Sequence, residues 1–152
     1  MKILRSIIIL GVLMVLCYYG VALYQRANHR PPTVDRELRA LVNQWENRMI
    51  DQHLNYRDGY RRIKTIRVSN RMDYGVAGHF DYGTREIIIN RSMIDSGFFA
   101  TRATLWHELG HYVFKLDHSD SPDEIMYYKT KADIEYKLYW ESMADIYYNK
   151  CK

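Results

Sequence analysis

The chain has 152 residues and a formal net charge of +4. Its lysines and arginines are scattered among acidic residues, without the basic cluster and interleaved aromatic side chains that track nucleic acid, so we predict no nucleic-acid partner. Its two cysteines, Cys17 and Cys151, lie in an apolar N-terminal segment and at the penultimate position, so no disulfide within the domain is available.

The apolar segment at residues 1–25 bears on where the protein resides. Residues 6–25 carry no charge and follow Lys2 and Arg5. A helix of that length spans about 30 Å, the thickness of the hydrocarbon core of a bilayer, so we predict a single membrane anchor. A cleavable signal sequence is the alternative, because the strongest apolar run is only about eleven residues long. Lys2 and Arg5 favour export of the domain that residues 26–152 form. This domain would be periplasmic or extracellular, and it would be secreted if the apolar segment is cleaved.

An amphipathic helix is predicted over residues 34–55. Two prolines at 31–32 block its extension upstream, and Thr33 or Asp35 is the candidate N-cap. The apolar residues of this stretch recur at helical spacing and predict one buried face: Val34, Leu38, Leu41, Val42, Trp45, Met49 and Ile50.

Three short β-rich runs follow this helix. Residues 62–68 predict a strand with imperfect alternation of apolar residues. Residues 76–82 and 85–90 predict a hairpin that turns through Gly83. The second hairpin strand contains three consecutive isoleucines, which is typical of burial on both faces, so either this strand or a neighbour forms the edge of the sheet.

A second helix is predicted from Phe98 to Phe114, after a start signal at residues 95–97. Its apolar residues form one core-facing stripe: Phe99, Ala103, Trp106, Gly110 and Val113. Histidines at 107 and 111 flank this stripe. We therefore expect them at the edge of the core, where a cleft can reach them.

This helix contains the pentapeptide His-Glu-Leu-Gly-His at residues 107–111. Side chains four residues apart lie on one face of a helix, so His107 and His111 can bind a single zinc ion while Glu108 projects toward the water that completes the site. In such a zinc hydrolase the metal lowers the pKa of the water and polarises the scissile carbonyl. Glu108 takes the proton of the water and delivers it to the leaving amine.

A hydrolytic zinc site needs three protein ligands and an open position for water. Three residues downstream of the pentapeptide are candidates for the third ligand. Asp117 and His118 lie six and seven residues after His111, and Glu141 lies thirty residues after it. Each candidate implies a different kind of zinc peptidase site.

Residues 107–118 read His-Glu-Leu-Gly-His-Tyr-Val-Phe-Lys-Leu-Asp-His, and residues 121–128 read Ser-Pro-Asp-Glu-Ile-Met-Tyr-Tyr. Together they resemble the metzincin metallopeptidases, particularly small matrixin-like ones. The resemblance implies that His118 is the third ligand and that Met126, in a methionine turn, forms a hydrophobic floor beneath the metal. It also implies that Tyr128 approaches the zinc as a second stabiliser of the oxyanion.

The resemblance further implies an architecture and a substrate class. The fold would be α+β, with a mixed twisted sheet, the zinc-binding helix, the methionine turn and a C-terminal helix, after the N-terminal transmembrane helix. The activity would be hydrolysis of peptide bonds, with an extended peptide or protein substrate aligned along a sheet edge near residues 85–90. We therefore predict a membrane-tethered or secreted zinc endopeptidase.

The chain departs from the metzincin pattern at two positions. The pattern has glycine three residues after the second histidine, where this chain has Phe114, and its third ligand three residues later, where this chain has Asp117. Either the turn carries one extra residue and His118 is the ligand, or Asp117 takes that role, and we favour His118. If the helix ends in a left-handed residue, Lys115 adopts that conformation at a cost of about 1–2 kcal/mol.

Two alternatives to the metzincin hypothesis remain. Residues 141–145, Glu-Ser-Met-Ala-Asp, resemble the Glu-x-x-Ala-Asp segment of gluzincin-type peptidases, in which Glu141 would be the third zinc ligand. The other alternative is a non-catalytic, membrane-tethered binding or assembly protein that retains the fold. Glu108 favours the enzyme, because a purely structural metal site needs no general base.

Overall fold

In a computed structural model of the protein, the described residues are 11–20, 30–73, 75–121 and 125–127. The chain divides into two compact units, 1–30 and 31–152. Residues 11–20 of the first unit are helical. Among the described residues, no helix has the length and apolar content that a membrane crossing needs. The predicted anchor also includes residues 1–10 and 21–25, which lie outside the described residues.

The described part of the second unit combines a four-stranded mixed sheet with helices. The strands are β1, Thr33–Val34; β2, Thr65–Ser69; β3, Gly78–Asp81; and β4, Glu86–Asn90. The helices are α1, Arg39–Asp51; α2, Arg57–Tyr60; α3, Arg91–Asp95; and α4, Phe98–Phe114. This arrangement confirms the predicted α+β class and the mixed sheet. The C-terminal helix that was also predicted lies outside the described residues.

The strand order β1-β2-β4-β3 places β4 inside the sheet. It pairs in parallel with β2, which pairs in parallel with β1, and it pairs antiparallel with β3 in the predicted hairpin. Ile87 and Ile89 are fully buried and Ile88 is 7 % exposed, as expected for a strand covered on both faces. The edge of the sheet beside β4 is therefore β3.

Helix α1 begins later than the predicted start at Val34. Val34 lies in β1 instead, because the backbone N–H groups of Thr33 and Asp35 donate to carbonyls of the chain along β2. The Asp35 carboxylate accepts a backbone N–H of β2 at 2.8 Å rather than capping the helix. Parallel pairing with β2 thus replaces the first helical turn. At the other end, Ile50 is 50 % exposed and not part of the buried face.

Helix α4 has the predicted bounds. Gly97 precedes it with φ 102°, a conformation that favours glycine, and Lys115 ends it in the left-handed conformation with φ 58°. Residues 100–110 are buried, because α4 packs on the sheet and on α1. Phe99 was predicted to face the core, and this is wrong: it is 53 % exposed and packs beside the Arg102 guanidinium.

The core of the second unit lies between α4, α1 and the sheet. The side chain of Trp45 is fully buried, and its ring packs edge-on against Tyr56 with 5.3 Å between centroids. The other largest fully buried side chains come from every layer of the fold: Trp106, Leu38, Met49, Ile63, Ile66, Ile87, Ile89, Leu105, Leu109 and Met126. Close packing of this kind fixes the rotation of α4 about its own axis.

Candidate metal centre

Helix α4 carries two histidines that meet at the edge of the core. His107 and His111 lie one turn apart, and their Nε2 atoms are 2.9 Å from each other. Leu105, Trp106 and Leu109 are each at most 1 % exposed and hold the helix in the rotation that presents both histidines on one side. His107 is 8 % exposed and His111 is half-buried, which agrees with the position predicted from the apolar stripe.

His118 joins this pair from the segment that follows the helix. One nitrogen of each of the three imidazoles lies within 4.8 Å of the others. The centroid of the His118 ring is 5.2 Å from that of His107 and 4.7 Å from that of His111. Asp117, the alternative at strict metzincin spacing, is not a member of this group and lines the cleft that Glu108 and His111 also line. The structure therefore brings His118, and not Asp117, into the group of three.

The turn that returns the chain toward the histidines begins at Lys115. Its left-handed conformation, with φ 58° and ψ 35°, is the one expected from the missing glycine and costs about 1–2 kcal/mol. The next residue, Leu116, donates its N–H to the Gly110 carbonyl at 3.3 Å and is 5 % exposed. Burial of a leucine side chain contributes about 1.5–3 kcal/mol, which offsets the backbone strain.

The second nitrogen of each helical histidine donates to a backbone carbonyl. His107 Nδ1 lies 2.7 Å from the Ile125 carbonyl oxygen, and His111 Nδ1 lies 2.6 Å from the Leu116 carbonyl oxygen. Because a carbonyl only accepts, both Nδ1 atoms carry the proton, and both Nε2 atoms of the neutral rings present lone pairs. Partners of this kind fix the tautomer and orientation of histidines that bind metal ions.

The pair of Nε2 atoms provides a test of whether a metal ion fits this site. Two acceptor nitrogens 2.9 Å apart repel each other unless they share a cation. Three imidazoles supply the nitrogen ligands that zinc prefers, in the number that a catalytic zinc site uses. The residues present therefore fit zinc, although imidazole also suits other transition metals.

Burial keeps both helical histidines neutral at neutral pH. Desolvation lowers the pKa of His107 to about 4, against the opposing hydrogen bond to Ile125. The pKa of His111 is also lowered, and burial is again the main cause. Since a metal ion binds the neutral imidazole, protons compete little for these two residues near pH 7.

Glu108 lies next to the histidines and lines a cleft of about 380 Å³. It is 8 % exposed, and burial raises its pKa to about 7. A carboxyl group with a pKa near the operating pH is suited to take up and release a proton. The other residues that line the cleft come from the hairpin, from α4 and from the turn after it: Phe80, Tyr82, His111, Lys115, Leu116 and Asp117.

Residues 125–127, which contain the predicted methionine turn, lie beside the segment that follows α4. The Ser119 N–H donates to the Met126 carbonyl at 2.8 Å, and Ser119 forms a parallel bridge with Tyr127. Met126 is fully buried in the core cluster. The residue before it, Ile125, supplies the carbonyl that orients His107, so this segment is part of the site.

Some features of the site had not been identified from the sequence. The carbonyls that hold the histidines carry no side-chain signal at all. The aromatic residues that line the cleft have a weak signal in the sequence, because strand alternation places Phe80 and Tyr82 on the same side of the chain. Tyr128 and Glu141 lie outside the described residues, and their roles stay predictions.

Comparison of the chain with protein-family models, with curated proteins and with solved structures gives no match. The resemblance to metzincins therefore stays a hypothesis that rests on residues 107–128.

Proposed function

We propose that the chain is a metzincin-type zinc endopeptidase, in which His107, His111 and His118 bind zinc and Glu108 is the general base and acid. One observation carries the proposal: the Nε2 atoms of His107 and His111 face each other at 2.9 Å while both Nδ1 atoms donate to carbonyls. Zinc, when bound, would lower the pKa of a coordinated water and polarise the scissile carbonyl.

Glu108 moves the protons of the reaction. As a carboxylate it accepts a proton from the attacking water, and as a carboxylic acid it donates that proton to the leaving nitrogen when the peptide C–N bond breaks. Burial raises the pKa of Glu108 to about 7 in the metal-free protein, whereas the charge of a bound zinc ion would favour the carboxylate, the form that accepts the proton. Tyr128 is proposed as a second stabiliser of the developing oxyanion, beyond the metal.

The edge strand β3 supports an extended peptide as the substrate. In the described sheet this strand pairs with β4 on one side only. Phe80 of β3 lines the same cleft as Glu108 and His111, so a peptide along this edge would pass the proposed ligands. Addition of a strand to a sheet edge gives main-chain hydrogen bonds with little sequence selectivity.

The site of action is proposed from the sequence. Residues 1–25 would tether the domain to a membrane, or direct its secretion if they are cleaved, and Lys2 and Arg5 favour an exported domain. A peptidase placed there would act on peptides or proteins outside the cytoplasm.

The substitution Glu108→Gln tests this proposal. It should leave zinc content unchanged and lower hydrolysis of a mixed peptide library, followed by mass spectrometry, by about 10²–10⁴-fold. Glu46→Gln is the matched control, because Glu46 also has a raised pKa through burial but lines a different pocket on α1. It should hydrolyse the library as the wild type does. Equal activity in Glu108→Gln and wild type would overturn the mechanism.

A further inference from the structure

One wall of the cleft is aromatic and carries a positive charge. The Phe80 ring stacks on Tyr112 with centroids 3.8 Å apart and packs edge-on against Tyr82 at 4.8 Å. The Lys115 ammonium lies over this wall, 4.7 Å from the centroid of Tyr112 and 5.5 Å from that of Tyr82. Two cation–π contacts therefore hold the ammonium at the cleft without neutralising it.

Two arginines add positive charge around Tyr112, the ring that the Lys115 ammonium contacts. Arg62 and Arg85 are exposed, and their charges act on Tyr112, where they oppose the rise in pKa that burial causes. Of the residues that the structure describes, no carboxylate forms an ion pair with Lys115. Glu108 and Asp117 also line the cleft, but neither forms an ion pair with Lys115.

The backbone at Lys115 gives a second reason to assign its side chain a role. This residue ends α4 in a left-handed conformation that glycine adopts without strain. A lysine at this position is strained by about 1–2 kcal/mol. Such strain at a cleft is a starting point for a hypothesis of function.

We infer that Lys115 selects substrates by binding a carboxylate of the peptide, while the wall of Phe80 and Tyr82 packs against the neighbouring apolar part of the substrate. The inference rests on the proposed function, because it assigns a substrate class to the same cleft: peptides with a carboxylate close to the scissile bond. An acidic side chain and a free C-terminus offer the same chemistry, a charge-assisted hydrogen bond to the ammonium.

The experiment uses the full-length chain and two matched sets of short labelled peptides. One set carries Glu or Gln at each position in turn, and the other ends in a free or an amidated C-terminus. Binding is measured by fluorescence anisotropy, and kcat/KM by mass spectrometry. The wild type should prefer the carboxylate peptides about fivefold in both measurements. A preference in the first set assigns the acidic side chain, and a preference confined to the second assigns the C-terminus.

Variants at Lys115 separate this inference from a general effect of charge. Lys115→Gln should abolish the preference. Lys115→Gly removes the same charge while easing the backbone, so it should give the same loss even if the glutamine variant folds poorly. Arg36→Gln is the control, because Arg36 is exposed and lies next to β1, at the opposite edge of the sheet. It should keep the wild-type preference.

The outcomes distinguish this inference from the proposed function. Cleavage of acidic and neutral peptides at equal kcat/KM would overturn the role of Lys115 and would still support the proposed peptidase activity. Binding of acidic peptides that depends on Lys115, without any cleavage, would support the role of Lys115 and count against the peptidase. If the wild type neither binds nor cleaves any of the peptides, both are wrong.

Discussion

Replacement of Glu108 by glutamine should stabilise the metal-free protein at neutral pH but not at pH 4.5. Burial raises the pKa of Glu108 from 4.5 to about 7, so the folded state binds this proton more tightly than the unfolded chain does. Ionisation of the buried Glu108 therefore destabilises the folded wild type. This effect is absent below pH 4.5, grows as the pH rises, and is complete above about pH 7. A change of one in pKa corresponds to 1.36 kcal/mol, so the difference of about 2.5 between the two pKa values corresponds to about 3 kcal/mol.

Urea unfolding of wild type and Glu108→Gln in the presence of a chelator, from pH 4.5 to pH 8, measures this effect. The free energy of unfolding of the variant minus that of the wild type should increase by about 3 kcal/mol from pH 4.5 to pH 8. The lowered pKa values of His107 and His111 make both proteins more stable as the pH rises toward 6.5, so they cancel in the difference.

Asp51→Asn controls for the loss of a carboxylate at the exposed end of α1. A difference between Glu108→Gln and wild type that stays constant within about 0.5 kcal/mol would refute the reasoning. It would mean that the Glu108 carboxyl is well solvated in the folded protein.

Three further predictions test the packing and the site. Gly59→Ala should lower the free energy of unfolding by about 1–3 kcal/mol, because a Cβ at this position would lie 2.4 Å from the Val113 carbonyl oxygen; wild-type stability in urea would mean that α2 and α4 do not approach so closely. Lys115→Gly should have a higher Tm in calorimetry than Lys115→Ala, since both variants lose the lysine side chain and only glycine relieves about 1 kcal/mol of strain; a lower Tm for the glycine variant would contradict the left-handed conformation. Tyr128→Phe should reduce kcat by about 10²-fold while Tyr127→Phe should not; equal kcat in the two variants would remove Tyr128 from the mechanism.

The sequence predicted those parts of the fold in which local pattern and tertiary contacts agree. Helix α4 has its predicted bounds because Gly97 and the break after Phe114 mark its two ends. The hairpin was predicted from its two apolar runs and the turn between them. The start of α1 was predicted wrongly, because residues 33–35 pair with β2, far along the chain, and helical spacing contains no information about that partner.

The candidate site was likewise predicted only in the part that local sequence determines. His107, Glu108 and His111 follow from one helical motif, whereas the approach of His118 depends on the turn at Lys115. The carbonyls that orient the imidazoles are backbone groups, which any residue type supplies. Only the three-dimensional arrangement shows which carbonyls reach the histidines.

The metal content of the purified protein tests the central claim most directly. Wild type, His118→Ala, Glu141→Ala and, as a control, the exposed histidine variant His79→Ala would be dialysed and analysed by elemental mass spectrometry. We expect one zinc per chain in the wild type, in Glu141→Ala and in His79→Ala, and loss of zinc in His118→Ala. A folded wild type without metal, or loss of zinc with Glu141→Ala but not with His118→Ala, would contradict the proposed site.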